Sequence, residues 1–322
     1  MILKLPSSFT GSFNYVDCGA RGDLSNPLLS VFENSRYIGF DPGLTMPSIK
    51  EDSSVYFPVA LAKETGLVDF YQTKNLNCSS IFIPNQGFLD RFMQVGEFFE
   101  ITETLTLKAV ALDDYLPAQG INNVDFVELD TQGSELGILQ GARNLLSSGV
   151  LGVRVEVEFS TMYHDQPLFG DVDSYLRQFG FMLFDLERYH LRRKTAPVDG
   201  LSREQIVWGQ ALYFKDWEND LAASTKQSLC KLAVIASFYG FHSYALEIVE
   251  YLLGNDVKLL SSKEKDQLKE ICNHGAPVQS LTLIDRIFGL YKRMFGSSKS
   301  SFHGMNEKSA IDSSDNSYFW KD

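Results

Sequence analysis

Paired cysteines, basic charge and long apolar runs are all in short supply in this 322-residue chain. Its four cysteines, Cys18, Cys78, Cys230 and Cys272, stand far apart with no C-x-x-C pair. That spacing fits neither a zinc site nor a disulfide framework, and it points to a reducing cytoplasm. Lys and Arg number 29 against 41 Asp and Glu, for a net charge of −12. Such a surface repels phosphates before contact, so nucleic acid is not expected as a partner. No stretch approaches the roughly 20 apolar residues of a membrane span, and the opening MILKLPSSFTGSFNY is too polar for a signal peptide, so no integral membrane segment is expected. What is present is a hydrophobic fraction of 44%, enough for one full α/β core and an appendage.

The stretch VDFVELDTQGSELGILQG, from Val124 to Gly141, organises the rest. Val124, Phe126, Val127 and Leu129 form a short apolar run, as in a central strand covered on both faces. After Gly133, Leu136, Leu139, Ala142, Leu145 and Leu146 recur at helical spacing, which predicts one helix. Asp130 occupies the corner between strand and helix. In open α/β sheets ligands bind at this edge; equally, Asp is a favoured N-cap, and Asp130 would then only close the helix.

Upstream, Phe13 to Cys18 reads as a first strand ending in Asp17, Cys18, Gly19, Ala20, Arg21 and Gly22. Ser25 or Asn26 can cap a following helix, with Pro27 in its first turn. A strand, glycine loop and helix start bring free N–H groups to an anionic ligand. The second strand, Tyr37 to Phe40, ends in Asp41, about twenty residues beyond the loop, the spacing of an acid that accepts from ribose hydroxyls. The alternative is a strand-end Asp leading into the Pro42-Gly43 turn.

Val55 to Leu61 reads as a third strand. Gly66 to Tyr71 and Leu105 to Val110 read as an antiparallel insertion, with the sheet resuming through Leu112, Asp113 and Asp114. Ser79 and Ser80 read either as hydroxyls that touch a ligand or, the commoner case, as exposed loop serines, and Phe82, Phe88, Phe92, Phe98 and Phe99 as packing residues. Val150 to Phe159 reads as a fifth strand with Glu156 and Glu158 on one face. Tyr163, His164 and Asp165 follow in a loop, and His164 is either a proton acceptor or an exposed histidine. Asp171 to Gln178 reads as a helix, Phe181 to Leu186 and Trp208 to Phe214 as closing strands, and Arg188 to Lys194 as a solvated loop. Beyond Trp217, Leu229, Leu232, Ala233 and Ala236, then Leu246, Val249, Leu252 and Leu253, predict two packed helices. Ser261 with Glu264 and the stripe from Ile284 to Phe295 predict two more, and the Ser-rich stretch from Ser297 a disordered tail.

The pattern Asp17-x-Gly19-x-x-Gly22, Asp41-Pro42 and DTQGSELGILQGA resembles the FkbM family of S-adenosylmethionine-dependent methyltransferases. The likeness runs over roughly residues 13 to 215 and extends to PVALAKETGLVDFY, the serine pair, LDDYL and VEVEFSTMYHDQPLFGDVDSYLRQFGF. It implies a Rossmann-like class I methyltransferase sheet, mostly parallel with one antiparallel strand. S-adenosylmethionine would then lie at Asp17, Gly19, Gly22 and Asp41, with Asp130 beside the reacting centre. Where the family often has Lys, two residues before the strand-end Asp, this chain has Glu128.

The expected organisation is a methyltransferase domain over 1–216, a helical extension over 217–296 and a disordered tail over 297–322. The expected activity is O-methyl transfer to a hydroxyl of a small-molecule or glycan acceptor, with Asp130, Glu158 and His164 as candidate bases. Asp130 with Glu156 or Glu158 supplies hard oxygens for a divalent metal, without completing a set. The rival expectation is a nucleoside-binding or interaction module that keeps the fold and lacks the catalysis.

Overall fold

The computed structural model describes residues 10–20, 26–43, 54–195, 202–219, 225–254 and 266. Gly22, Cys272, the helical patterns at Ser261–Glu264 and Ile284–Phe295, and the tail from Ser297 lie outside them.

Strands follow where apolar residues alternate or run together. In chain order they are β1 (Phe13–Cys18), β2 (Ser35–Phe40), β3 (Val55–Phe57), β4 (Ala60–Leu61), β5 (Gly66–Thr73), β6 (Ile101–Val110), β7 (Phe126–Leu129), β8 (Gly152–Glu158), β9 (Phe181–Leu191) and β10 (Gln205–Lys215). The helices are α1 (Leu112–Ala118), α2 (Glu135–Gln140), α3 (Arg143–Ser148), α4 (Phe169–Arg177), α5 (Lys226–Phe238) and α6 (His242–Gly254), besides shorter single turns. Seven strands form the main sheet in the order β3-β2-β1-β7-β8-β10-β9, and β4-β6-β5 form a second, smaller one. Only β10 runs against its neighbours in the main sheet. This is the mostly parallel, Rossmann-like sheet with one antiparallel strand that the resemblance implies.

Successive side chains of a strand point to opposite faces, and the two faces have different covers. Val16, Val127, Val153, Val155 and Val157 pack against Leu116, Leu139, Leu146 and Leu176 of α1 to α4. On the other face Phe13, Tyr15, Phe126 and Phe214 pack against Leu229, Leu232, Ile235 and Ile248 of α5 and α6. Only the short turn Pro27–Val31, capped by the Asn26 side chain, follows β1 among the described residues on this side. The C-terminal helices fill the layer. Every residue of α5 from Leu229 to Phe238 except Lys231 is buried. Lys231 is committed too: its Nζ donates to Asp125 Oδ1 and to Ser12 O, both at 2.6 Å. Asp125 Oδ2 accepts from Asn14 N–H at 2.8 Å. Breaking a buried pair of this kind leaves an uncompensated charge, which fixes α5 on the sheet.

Several elements depart from the expected pattern. The run Val55 to Leu61 splits, because the chain leaves β2 after Phe57 and pairs Ala60 and Leu61 with β6 in the small sheet. Leu112 to Asp114 open a helix rather than a strand. The single helix expected after Gly133 breaks in two at Gly141, where a Cβ would stand 2.6 Å from Ala62 O. Asp113 closes the break, its carboxylate accepting from Asn144 and Leu145 N–H at 2.7 and 3.1 Å. Part of the basic stretch extends β9, and Arg192 O and Lys194 N–H bond the backbone of Met93 and Arg91. Among the described residues no helix is long and apolar enough to cross a membrane.

Because α5 shares the core of the main sheet, Ile235→Ala should cost about 2–5 kcal/mol and shift one cooperative urea transition, seen alike by circular dichroism and tryptophan fluorescence. An early helical transition that left the sheet intact would show α5 to be independent.

Candidate active site

Three strand ends are tied together at the carboxyl edge of the main sheet. Gly19 and Ala20 N–H donate to Phe40 O at 2.9 and 3.0 Å, and Asp130 N–H donates to Cys18 O at 3.0 Å. β1 lies between β2 and β7, the point of an open sheet where connections diverge and a crevice opens. Gly19 takes φ +97°, and a Cβ on it would stand 2.2 Å from Asp130 O. Only glycine lets the first loop lie this close to the end of β7.

The crevice is a cavity of about 180 Å³. Gly19, Asp41, Asp130, Thr131 and Gln132 line it from the main sheet, and Phe70, Gln72, Ser79, Ile81 and Leu105 from the insertion. Asp41 is held by Gly43 N–H, which donates to Oδ1 at 2.6 Å. Among the described residues no Lys or Arg lines the cavity.

The corner at Asp130 is not a helix cap. The N-cap of α2 is Ser134, and Glu135 Oε1 takes the loop donors instead: Thr131 N–H at 2.7 Å, Thr131 Oγ1–H at 2.9 Å and Gly133 N–H at 3.2 Å. Asp130 Oδ1 accepts from Gln132 Nε2 at 3.0 Å. The same Nε2 donates to Glu156 Oε2 at 2.8 Å. Gln132 Oε1 faces the Tyr163 hydroxyl at 3.1 Å, and Gln132 O accepts from Ser80 Oγ–H at 2.7 Å.

Glu135, Glu156 and Glu158 are all buried, and removal from water disfavours an ionised carboxyl. Burial pushes Glu135 up to about 6, against the pull of the Thr131 donors. Burial, then the negative charge of Asp130 and Glu158, raises Glu156 well above the usual carboxylate range. Burial followed by Glu135 and Asp130 does the same to Glu158, which Gln166 partly offsets. Among the described residues no group of three or more His, Cys, Asp or Glu is placed to hold a metal ion.

The candidates from sequence are thus unequally placed. Gly19, Asp41 and Asp130 meet at one cavity. The Asp17 side chain accepts from the Tyr37 hydroxyl and is not part of the lining. Glu158 is buried and likewise off the lining. His164 is exposed, tied by its backbone N–H to Ile83 O at 2.8 Å, and the cavity does not include it. Ser79 and Ser80 are buried rather than exposed, and of the two Ser79 lines the cavity. Gln132 and Tyr163 went unnoticed as site residues; the Gln-Gly pair just after the strand-end acid was the available signal, since Gln132 takes φ 61° and Gly133 φ 101°. Glu128, the departure from the family pattern, stands opposite Arg154 in the β7–β8 register. It accepts from the Arg154 guanidinium and the Tyr15 hydroxyl.

The sheet order, the glycine turn after β1 and the acids at three strand ends define a Rossmann-like protein with its crevice at the switch point. Residues 17–183 match the model of the methyltransferase FkbM domain. The chain belongs to that family. Among curated proteins no relative matches. The crystal structure of methyltransferase FkbM from Methylobacillus flagellatus KT is similar at 16% identity and a TM-score of 0.31, over 66% of this chain and 48% of that one. This chain therefore spans about half the length of that solved relative.

A carboxyl whose folded pKa lies above its unfolded value stabilises the fold fully below the unfolded value, and the contribution is lost as pH rises through the folded one. Glu135 should lose about 2 kcal/mol between its ordinary 4.5 and about 6, and Glu156 its share at higher pH. The fall in Tm across about pH 5 to 8 should be shallower in Glu156→Gln than in the parent. An identical slope would show that Glu156 is ionised throughout.

Proposed function

We propose that this chain is an S-adenosylmethionine-dependent methyltransferase that methylates a hydroxyl of a glycan or other small molecule. The observation that carries this reading is the meeting of Gly19, Asp41 and Asp130 at one cavity inside the matched family region. The side chains fit the cofactor: Gly19 leaves the edge open to a ligand, and Asp41 is an acceptor held at the end of β2, as ribose hydroxyls require. When bound, S-adenosylmethionine would supply an electrophilic methyl group on a positive sulfur.

Alignment and proton removal are left to the protein. Asp130 reaches the cavity wall, whereas Glu158 keeps its proton in the interior and His164 stands outside. Asp130 is therefore the base. Leu76, Leu105 and Leu107 with Gln72 and Asn77 form an apolar wall with amide groups, suited to an uncharged acceptor that carries hydroxyls. A phosphorylated acceptor or nucleic acid would find no described cation in that wall. Residues 1–216 form the catalytic unit in this reading, and the extension that begins at 217 supplies the second layer of its sheet. The buried free thiols Cys18 and Cys78 suit a reducing cytoplasm.

Two measurements test this. Asp41→Ala should weaken S-adenosylhomocysteine binding by about 1–3 kcal/mol in calorimetry, and unchanged affinity in the folded variant would remove Asp41 from the ribose site. Asp130→Asn should keep that binding while S-adenosylhomocysteine formation, screened over a panel of hydroxyl acceptors, falls on the order of 100-fold or more. Binding by the parent chain without product from any acceptor would instead favour a nucleoside-binding module.

A further inference from the structure

We propose that Gln132 is a positioning residue that joins Asp130 and Glu156 into one proton-sharing unit, which receives the acceptor's hydroxyl proton. The inference rests on the methyl-transfer reading for its role, but its geometry stands apart from it. The Gln132 amide nitrogen has two hydrogens and two carboxyl partners, Asp130 Oδ1 at 3.0 Å and Glu156 Oε2 at 2.8 Å. Its orientation is not free. Turned over, Oε1 would face both carboxyl groups; as placed, it faces the Tyr163 hydroxyl at 3.1 Å, whose one hydrogen is shared between Oε1 and Cys78 O at 2.9 Å. Gln132 holds this pose at φ 61°, a conformation that a residue with a side chain adopts at some cost. The backbone is pinned there by Ser80 Oγ–H on Gln132 O.

Asp130 Oδ1 and Glu156 Oε2 are brought side by side on that one nitrogen. Two carboxyls so joined need a proton between them. The other titratable groups around them are Glu158 on the same strand, Glu135 of α2, Tyr163 in the following loop, Cys78 of the insertion and Tyr189 of β9. All of these are acids. Arg154, on the same face of β8, is engaged by Glu128 and by Glu187 at 3.9 Å. One proton is therefore retained, and burial holds it chiefly on Glu156. Asp130 stands at the cavity wall, on the side open to a ligand.

The proton balance follows. As the acceptor oxygen bonds the methyl carbon, the electron pair of the broken carbon–sulfur bond stays on sulfur. The pair of the O–H bond stays on oxygen, and the proton passes to Asp130. The unit goes from one proton to two, and from singly negative to neutral, as the positive charge on sulfur disappears. No charge is stranded in a site with little water to solvate it.

Carboxyl carbon NMR of the full chain labelled at Asp and Glu, with Asp130→Asn and Glu156→Gln for assignment, tests the sharing without any acceptor. In the parent both signals should move in both of two separate titration steps, the mark of coupled groups. In Gln132→Leu each signal should follow a step of its own. Tyr163→Phe, which keeps the ring and removes only the hydroxyl, should weaken the coupling even if the first variant does not fold. A parent in which Glu156 titrates with no response at Asp130, or a folded Gln132→Leu with the coupled steps intact, overturns the proposal. Calorimetry of the parent with S-adenosylhomocysteine separates the two readings: absent binding with coupled titration sinks the methyl-transfer reading, whereas binding with independent titration sinks the shared proton alone.

Discussion

A carboxylate withdrawn from water must find a cation, find hydrogen-bond donors or keep its proton. This chain places Glu128, Asp130, Glu135, Glu156 and Glu158 around one strand–helix corner, and it uses all three solutions. Glu128 takes the Arg154 guanidinium across the β7–β8 register. Glu135 takes three donors from the loop before α2 and thereby closes that loop. Burial pushes Glu156 and Glu158 toward the third, well above the usual carboxylate range. Each solution also shapes structure. The first explains why a glutamate is tolerated at position 128, and the second leaves Asp130 out of the helix cap and turned toward Gln132.

The same corner links layers that are distant in sequence. At one end of β7, Asp125 is held by Lys231 of α5. At its other end, Gln132 is held by Ser80 of the insertion. The C-terminal helices and the insertion therefore both bear on a four-residue strand, and neither is an ornament on a finished sheet. This has an energetic reason. A parallel sheet needs both faces covered, and the short turn after β1 leaves the Phe13, Tyr15 and Phe126 face to α5.

Elements with strong local patterns were legible in the sequence. The apolar run before Asp130, the strand before Gly19 and the alternation of β5 and β6 lie where periodicity puts them, and the resemblance supplied the sheet as a whole. What escaped depended on contacts between remote segments. The break at Gly141 exists because Ala62 passes close by, and nothing near Gly141 in sequence announces Ala62. The serine pair is polar and looks solvated; Ser80 is buried because its hydroxyl finds Gln132 O. Asp113, placed by its sequence where the sheet resumes, instead closes the start of α3 with its carboxylate. Likewise, a glutamine is chemically unremarkable until two carboxyls and a phenol surround it.

Those remote contacts also explain why Asp130, rather than its acidic neighbours, faces the cavity. Along one face the acids of β8, Glu156 and Glu158, stand opposite Gln210 and Trp208 of β10, and burial pushes them toward the protonated form. Asp130 has just left the sheet, its N–H still bonded to Cys18 O and its side chain at the crevice. One residue back, position 129 lies inside the sheet among Val127 and Val155, and the helix cap comes four residues on, at Ser134. Gly19 fixes the position by pressing the first loop against Asp130 O, where no larger residue fits. The carboxylate thus stands where two constraints meet, at the wall of the crevice and within reach of the Gln132 amide that also holds Glu156.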